Sequence, residues 1–143
     1  MDRHRVRPRE RRARRGAAML EFAIVAPVLL ALLLGIVEYA RFFFLYHMLL
    51  TAVREGARLG AVTPMGTAAE RTAATGLITS TVRDRMVDPG AASAPVLITL
   101  PSGSGPMQTV RVAVRGYPFT ALVPGLTPPQ LPEVRAEFRY ELQ

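Results

Sequence analysis

The sequence predicts an α+β fold: a long N-terminal helix, transmembrane over about residues 17–37, whose outer half packs on a small antiparallel β-sheet with a second helix. Three observations lead there. From Ala17 to Leu50 the chain is apolar for 34 residues, broken only by Glu21, Glu38 and Arg41 as charged positions. From Val96 onward the hydrophobic period changes to two, the signature of half-buried strands. Residues 64–143 number 80, a thin core for three strands and one helix, so the surplus apolar length of the first helix is the natural lid.

The first segment, residues 1–16, is a basic leader. The chain has 143 residues, net charge +7, 18 basic side chains that are all arginine, and no cysteine. Arg3, Arg5, Arg7, Arg9, Arg11, Arg12, Arg14 and Arg15 against Asp2 and Glu10 put +6 of that charge in residues 1–15, leaving the body at +1. An arginine-rich arm can bind phosphates. Basic residues ahead of an apolar segment also hold that flank in the cytoplasm, and the apolar run that follows favours this reading, with no nucleic-acid partner expected. The absence of cysteine removes disulfides, Cys zinc sites and thiol nucleophiles. With His4 and His47 the only histidines, neither a metal site nor a cofactor is expected.

The second segment, residues 17–62, is the long helix. Ala17–Val37 is 21 residues with Glu21 as its one charge. As a helix it rises ~31 Å, about one hydrocarbon core. The expected location is therefore the cytoplasmic (inner) membrane, single-pass, with the N-terminus cytoplasmic and residues 63–143 an extracytoplasmic head. A cleaved secretory signal fits poorly: the apolar stretch is too long, and Glu38, Tyr39 and Arg41 stand where small residues belong. Pro27 lies inside the helix and removes one backbone hydrogen bond. It is either a harmless kink or a weak turn that helps the subunit leave the bilayer. From Ala17 to Leu50 the helix would measure ~51 Å, ~20 Å more than a bilayer core, so protein must bury the excess.

The junction reads Arg14-Arg15-Gly16-Ala17-Ala18-Met19-Leu20-Glu21-Phe22. A carboxylate this far into an apolar helix is costly, less so near the interface. It can snorkel to the membrane edge. Alternatively, cleavage after Gly16 would give Ala17 an α-ammonium one helical turn from Glu21, or near a neighbour's Glu21. In apolar surroundings such a pair sets register, because either charge alone is badly solvated.

Arg15-Gly16, four residues, Glu21-Phe22 and an apolar run resemble the type III signal of type IV pilins and pseudopilins. Later blocks narrow the resemblance: Pro27, the Leu-rich run 29–34, Gly35-Ile36-Val37-Glu38-Tyr39 and Arg54-Glu55-Gly56-Ala57-Arg58 resemble TadE-like pseudopilins of tight-adherence (Tad/Flp) type IVb pili. The resemblance covers residues 15–62. It implies a pilin-like lollipop, cleavage between Gly16 and Ala17 by a prepilin peptidase, and assembly roles for Glu21 and Phe22. The implied partners are that peptidase, other pilins and pseudopilins, the membrane platform of the pilus machine and the lipid bilayer. Two departures stand out. The new N-terminus would be Ala17 rather than the Phe of many type IVa pilins, and the chain is longer than a Flp major pilin, which points to a minor component.

Beyond the span, Glu38/Arg41 and Glu55/Arg58 are i,i+3 pairs on the helix surface. Ala52, Gly56 and Gly60 form a small-residue stripe that permits close approach, either of this protein's own sheet or of a neighbouring subunit. Thr63-Pro64 ends the helix.

In the head, residues 63–143, Thr67-Ala68-Ala69-Glu70 reads as a capping box. The second helix is expected to reach about Val87 with Ala69, Ala73, Leu77, Val82 and Met86 inward, and to stop at Asp88-Pro89-Gly90. After a linker over 91–95, strands are expected at 96–100, around Val110, Val112 and Val114, and from Val134 through Ala136, Phe138 and Tyr140 to Leu142. Residues 101–106 read as a turn, and 117–126 as an apolar loop or short helix on the sheet.

No catalytic constellation is visible in the head. No histidine follows His47; Ser80, Ser93, Ser102 and Ser104 have no base; Asp84 and Asp88 have no partner cluster. A non-enzymatic assembly protein is the leading expectation: a minor pseudopilin acting in pilus assembly or initiation. The alternative is an uncleaved single-pass membrane protein with a small extracytoplasmic binding domain.

Overall fold

The computed structural model describes residues 8–86, 93–102, 108–122 and 131–140, with side chains described from residue 16 onward. Element order is α1 (Pro8–Val62), α2 (Ala68–Arg85), β1 (Val96–Thr99), β2 (Thr109–Val114) and β3 (Val134–Arg139). The chain divides into two compact units, residues 1–39 and 40–143. Arg3, Arg5 and Arg7, the stop at Asp88-Pro89-Gly90, the turn over 103–106, residues 123–126 and Leu142 lie outside the described residues.

In the first unit α1 is helical without interruption, Pro27 included. Its side chains face outward: Phe22, Ile24, Val28, Leu29, Leu30, Leu32 and Ile36 are all more than half exposed. The most apolar 18-residue stretch of Gly16–Val62 contains no buried residue, and the helix is long and apolar enough to cross a membrane. A contiguous apolar surface of this size needs a lipid or protein cover. Glu38, near the end of this unit, is 2% exposed and has an interaction partner.

The second unit is an α+β assembly in which the outer half of α1 packs on a three-stranded antiparallel sheet of order β1-β2-β3 and on α2. Val112 stands opposite Ile98 on one side and Ala136 on the other. Val110, Val112 and Val114 of β2 are buried; they join Leu45, Leu49, Val53 and Ala57 of α1 and Ala74, Ile78, Val82 and Met86 of α2 in one cluster. Each buried Val, Leu or Ile contributes roughly 1.5–3 kcal/mol. Among the described residues no buried side-chain nitrogen or oxygen lacks a partner.

The helix ends follow local chemistry. The Thr63 hydroxyl donates to the Leu59 carbonyl at 2.7 Å, and the helix stops at Val62, before Pro64. At α2 the Glu70 amide donates to Thr67 Oγ1 at 3.2 Å and the Thr67 amide to Glu70 Oε2 at 2.8 Å, a reciprocal capping box. The helix ends at Arg85 with Met86 as its cap, slightly short of Val87.

Two expectations need correction. The inward face of α2 is Ala74, Ile78, Val82 and Met86; Ala69 and Ala73 are exposed, and Leu77 is 49% exposed. Stepping back by fours from Met86 keeps one helical face, whereas Leu77 lies ~100° from Ile78 around the axis. In β3, Val134 is buried and Ala136 half-buried, but Phe138 is 38% exposed. It pairs with Val110 near the end of β3, an edge strand.

Candidate assembly site

The residues expected to function fall in two groups, one in each unit. Gly16, Ala17, Glu21 and Phe22 lie on exposed helix in the first. A β-carbon at Gly16 would meet nothing within 4 Å. Glycine costs ~1 kcal/mol relative to alanine inside a helix, so the turn holding the Gly16–Ala17 bond is locally easy to unwind. Glu21 follows Ala17 by four residues, ~6 Å along the axis and on the same face. Phe22 is 73% exposed. This surface presents one acid and an apolar ring to whatever packs on it.

Ala52, Gly56 and Gly60 are buried in the second unit. A β-carbon on Gly56 would lie 2.5 Å from Val82 Cγ2 and 3.7 Å from Val112 Cγ1; one on Gly60 would lie 2.8 Å from both Ile78 Cδ1 and Val110 Cγ1. Branched side chains of α2 and β2 thus fill the notches that the two glycines leave. The stripe is occupied within the chain's own head.

Sequence reasoning missed a contact that ties the loop after β2 to α1. The Arg41 guanidinium lies 5.2 Å from the centroid of the Phe119 ring and donates to the Thr120 carbonyl at 3.4 Å. Phe42 meets the same ring edge-on at 5.8 Å. The aromatic run 42–44 was the available signal, but its partner is almost 80 positions away.

The outer face of the sheet is mainly polar, with Leu97 and Ala113 as its apolar positions. The Arg111 guanidinium donates to Glu137 Oε2 at 3.0 Å across β2 and β3, and Arg115 binds Glu133 through two nitrogens. The Thr109 hydroxyl and Arg111 hold the Glu137 carboxyl below its ordinary range, and Arg115 does the same for Glu133. A carboxyl with a lowered folded pKa stabilises the fold above its unfolded pKa, and that contribution disappears as pH falls through the folded value. Both pairs are exposed, so the contribution is small. Glu137→Gln should therefore lose less stability than wild type between pH 7 and pH 3, measured as the shift in urea midpoint at each pH.

Among the described residues no group of three or more His, Asp or Glu could hold a metal ion. What the described residues offer instead is, in the first unit, an exposed apolar helix with one carboxylate near its start and, in the second, a head whose small-residue stripe is already filled. The family model for TadE-like proteins matches residues 16–58. Over this stretch the chain is similar to TadE-like proteins. The TadE-like segment opens on Gly16, takes in Glu21, Phe22, Pro27, Ala52 and Gly56, and closes on Arg58. Comparison with curated proteins and with solved structures gave no match. The part of the head beyond the TadE-like segment is thus described by its own geometry.

Proposed function

We propose that this protein is a minor pseudopilin of a Tad-like type IVb (Flp) pilus. It is made as a membrane-anchored precursor, cut between Gly16 and Ala17 by a prepilin peptidase, and used in pilus assembly or initiation. The observation that carries this reading is the TadE-like match itself, which begins at Gly16 and includes Glu21-Phe22. The exposed apolar helix supports it, because a subunit that moves from bilayer to fibre must present one apolar surface first to lipid and then to neighbouring helices. In this reading the N-terminus is cytoplasmic, the head is extracytoplasmic, and the partners are the peptidase, other pilins and pseudopilins and the platform protein.

The work is structural. Helix packing supplies affinity, Glu21 supplies register, and the head presents a polar sheet face. The reading is tested by substituting the residue before the cut. Gly16→Ile places a branched side chain where the peptidase requires none; the precursor should accumulate uncut in the membrane, and pili should be lost from cells carrying only this variant. Normal processing of Gly16→Ile, followed by immunoblot, would contradict the proposed cleavage site.

A further inference from the structure

We infer that the head is seated on the membrane that α1 spans, through Phe43, Phe44 and the strap 117–122. The inference rests on the membrane-spanning reading of α1 and adds an interaction surface to it. Phe43 and Phe44 are 54% and 68% exposed, although they belong to the folded head unit. One turn further on, the exposed positions of α1 become polar, His47, Thr51, Arg54 and Arg58, with Val62 at the helix end as the apolar exception. The exposed surface of the helix therefore changes from apolar to polar just beyond Phe44.

Length says what covers the apolar side of that boundary. With Ala17–Val37 (~31 Å) across the hydrocarbon core, Phe44 stands seven residues, ~10 Å, beyond it, against ~5–8 Å for the outer headgroup layer. The polarity change falls close to the outer edge of that layer. Aromatic rings with an adjacent arginine suit that layer, since they present an apolar body and a polar or cationic edge together.

The strap is held at the same level. Arg41 binds it through the Phe119 ring and the Thr120 carbonyl, and Phe42 packs on Phe119. Leu122, two residues further along, is 62% exposed. A large aliphatic side chain is thus carried on a segment fixed to the helix at Arg41, three residues before Phe44. The lipid surface is the occupant this placement fits: apolar side chains at interfacial depth, continuous with an apolar helix of membrane length.

The absence of cysteine makes the test direct. Single variants Leu122→Cys, Leu30→Cys and Ser80→Cys of the full chain would carry an environment-sensitive fluorophore in vesicles of phosphatidylcholine and phosphatidylglycerol. Nitroxide lipids would serve as quenchers, spin-labelled either at the headgroup or on the acyl chain. Ser80 is exposed on α2, whose Ile78 and Val82 meet α1 at Gly60 and Gly56, about four turns beyond Arg41. The label at Leu122 should be quenched by headgroup nitroxide at least threefold more than that at Ser80, and Arg41→Gln should reduce this difference while leaving Leu30 unchanged. If Leu30 is quenched by the acyl-chain probe and Leu122 behaves as Ser80, the seating is overturned and the span stands. If Leu30 also escapes quenching, the spanning reading fails and the seating with it. Shielding of Leu122 that appears only at high protein density would assign the surface to a second copy, which also overturns the inference.

Discussion

Glu21→Val is expected to reduce surface pili to roughly a tenth of wild type or less while leaving the membrane level of the protein unchanged. In the proposed mature protein, the α-ammonium of Ala17 would sit one turn from position 21. Packed among apolar helices, that ammonium needs a carboxylate; removing one partner of a buried pair costs ~3–5 kcal/mol, well over tenfold in subunit affinity. Glu21→Gln keeps the shape and loses the charge, so it should fail almost as badly. Glu21→Asp retains the charge on a shorter arm and should recover part of assembly. The measurement is the ratio of sheared to cell-associated pilin by immunoblot. Normal assembly of Glu21→Val would leave Glu21 as a side chain that reaches for the membrane edge, without a register role.

The second large effect concerns the head. Gly56→Ala and Gly60→Ala together should destabilise it, by up to about 4 kcal/mol after the gain in helix propensity. Each added methyl overpacks a filled notch at a cost of ~1–3 kcal/mol, offset by up to ~1 kcal/mol of helix propensity. Gly56 is the more severe site, since its β-carbon would come within 2.5 Å of Val82 Cγ2, the end of a short side chain with little rotamer freedom. Gly76→Ala on α2 provides the opposite sign. Nothing lies within 4 Å of its β-carbon, so only the propensity gain of ~1 kcal/mol remains. Urea midpoints of the full chain in detergent micelles, read from tyrosine near-ultraviolet circular dichroism, would separate the two. Equal responses at Gly56 and Gly76 would mean that the stripe is not closely packed.

Much of the fold was legible because local chemistry fixes it. Thr63-Pro64 stops α1, Thr67 and Glu70 start α2, and the alternation around Val110–Val114 makes β2 a half-buried strand. The face of α2 was not legible. Apolar residues, alanines and threonines alternate closely there, and Thr72, Thr75 and Thr79 return their hydroxyls to carbonyls of the preceding turn at 2.7–3.0 Å. With its hydroxyl satisfied, Thr75 or Thr79 can border the buried face as easily as alanine does. What selects that face is the pair of notches at Gly56 and Gly60, which call for branched side chains at Ile78 and Val82. Sequence spacing within α2 carries no record of that demand. The Arg41–Phe119 contact was hidden for a related reason: nothing in either segment names its partner.

The site divides in the same way. Gly16, Glu21 and Phe22 lie on exposed helix, where the sequence places them, and the cleavage and register proposed for them would be local properties of that helix. The stripe could be seen, but not what fills it. The notches turned out to face α2 and β2, so they are part of the head's own core.

Intact-mass spectrometry of the protein from pilus-producing cells tests the central claim most directly. The proposed function predicts a mature species beginning at Ala17, with the mass of residues 17–143 plus any N-terminal modification. A mature protein that still carries residues 1–16 would contradict it, leaving a chain similar to TadE-like proteins over residues 16–58 without the ammonium that Glu21 is proposed to meet.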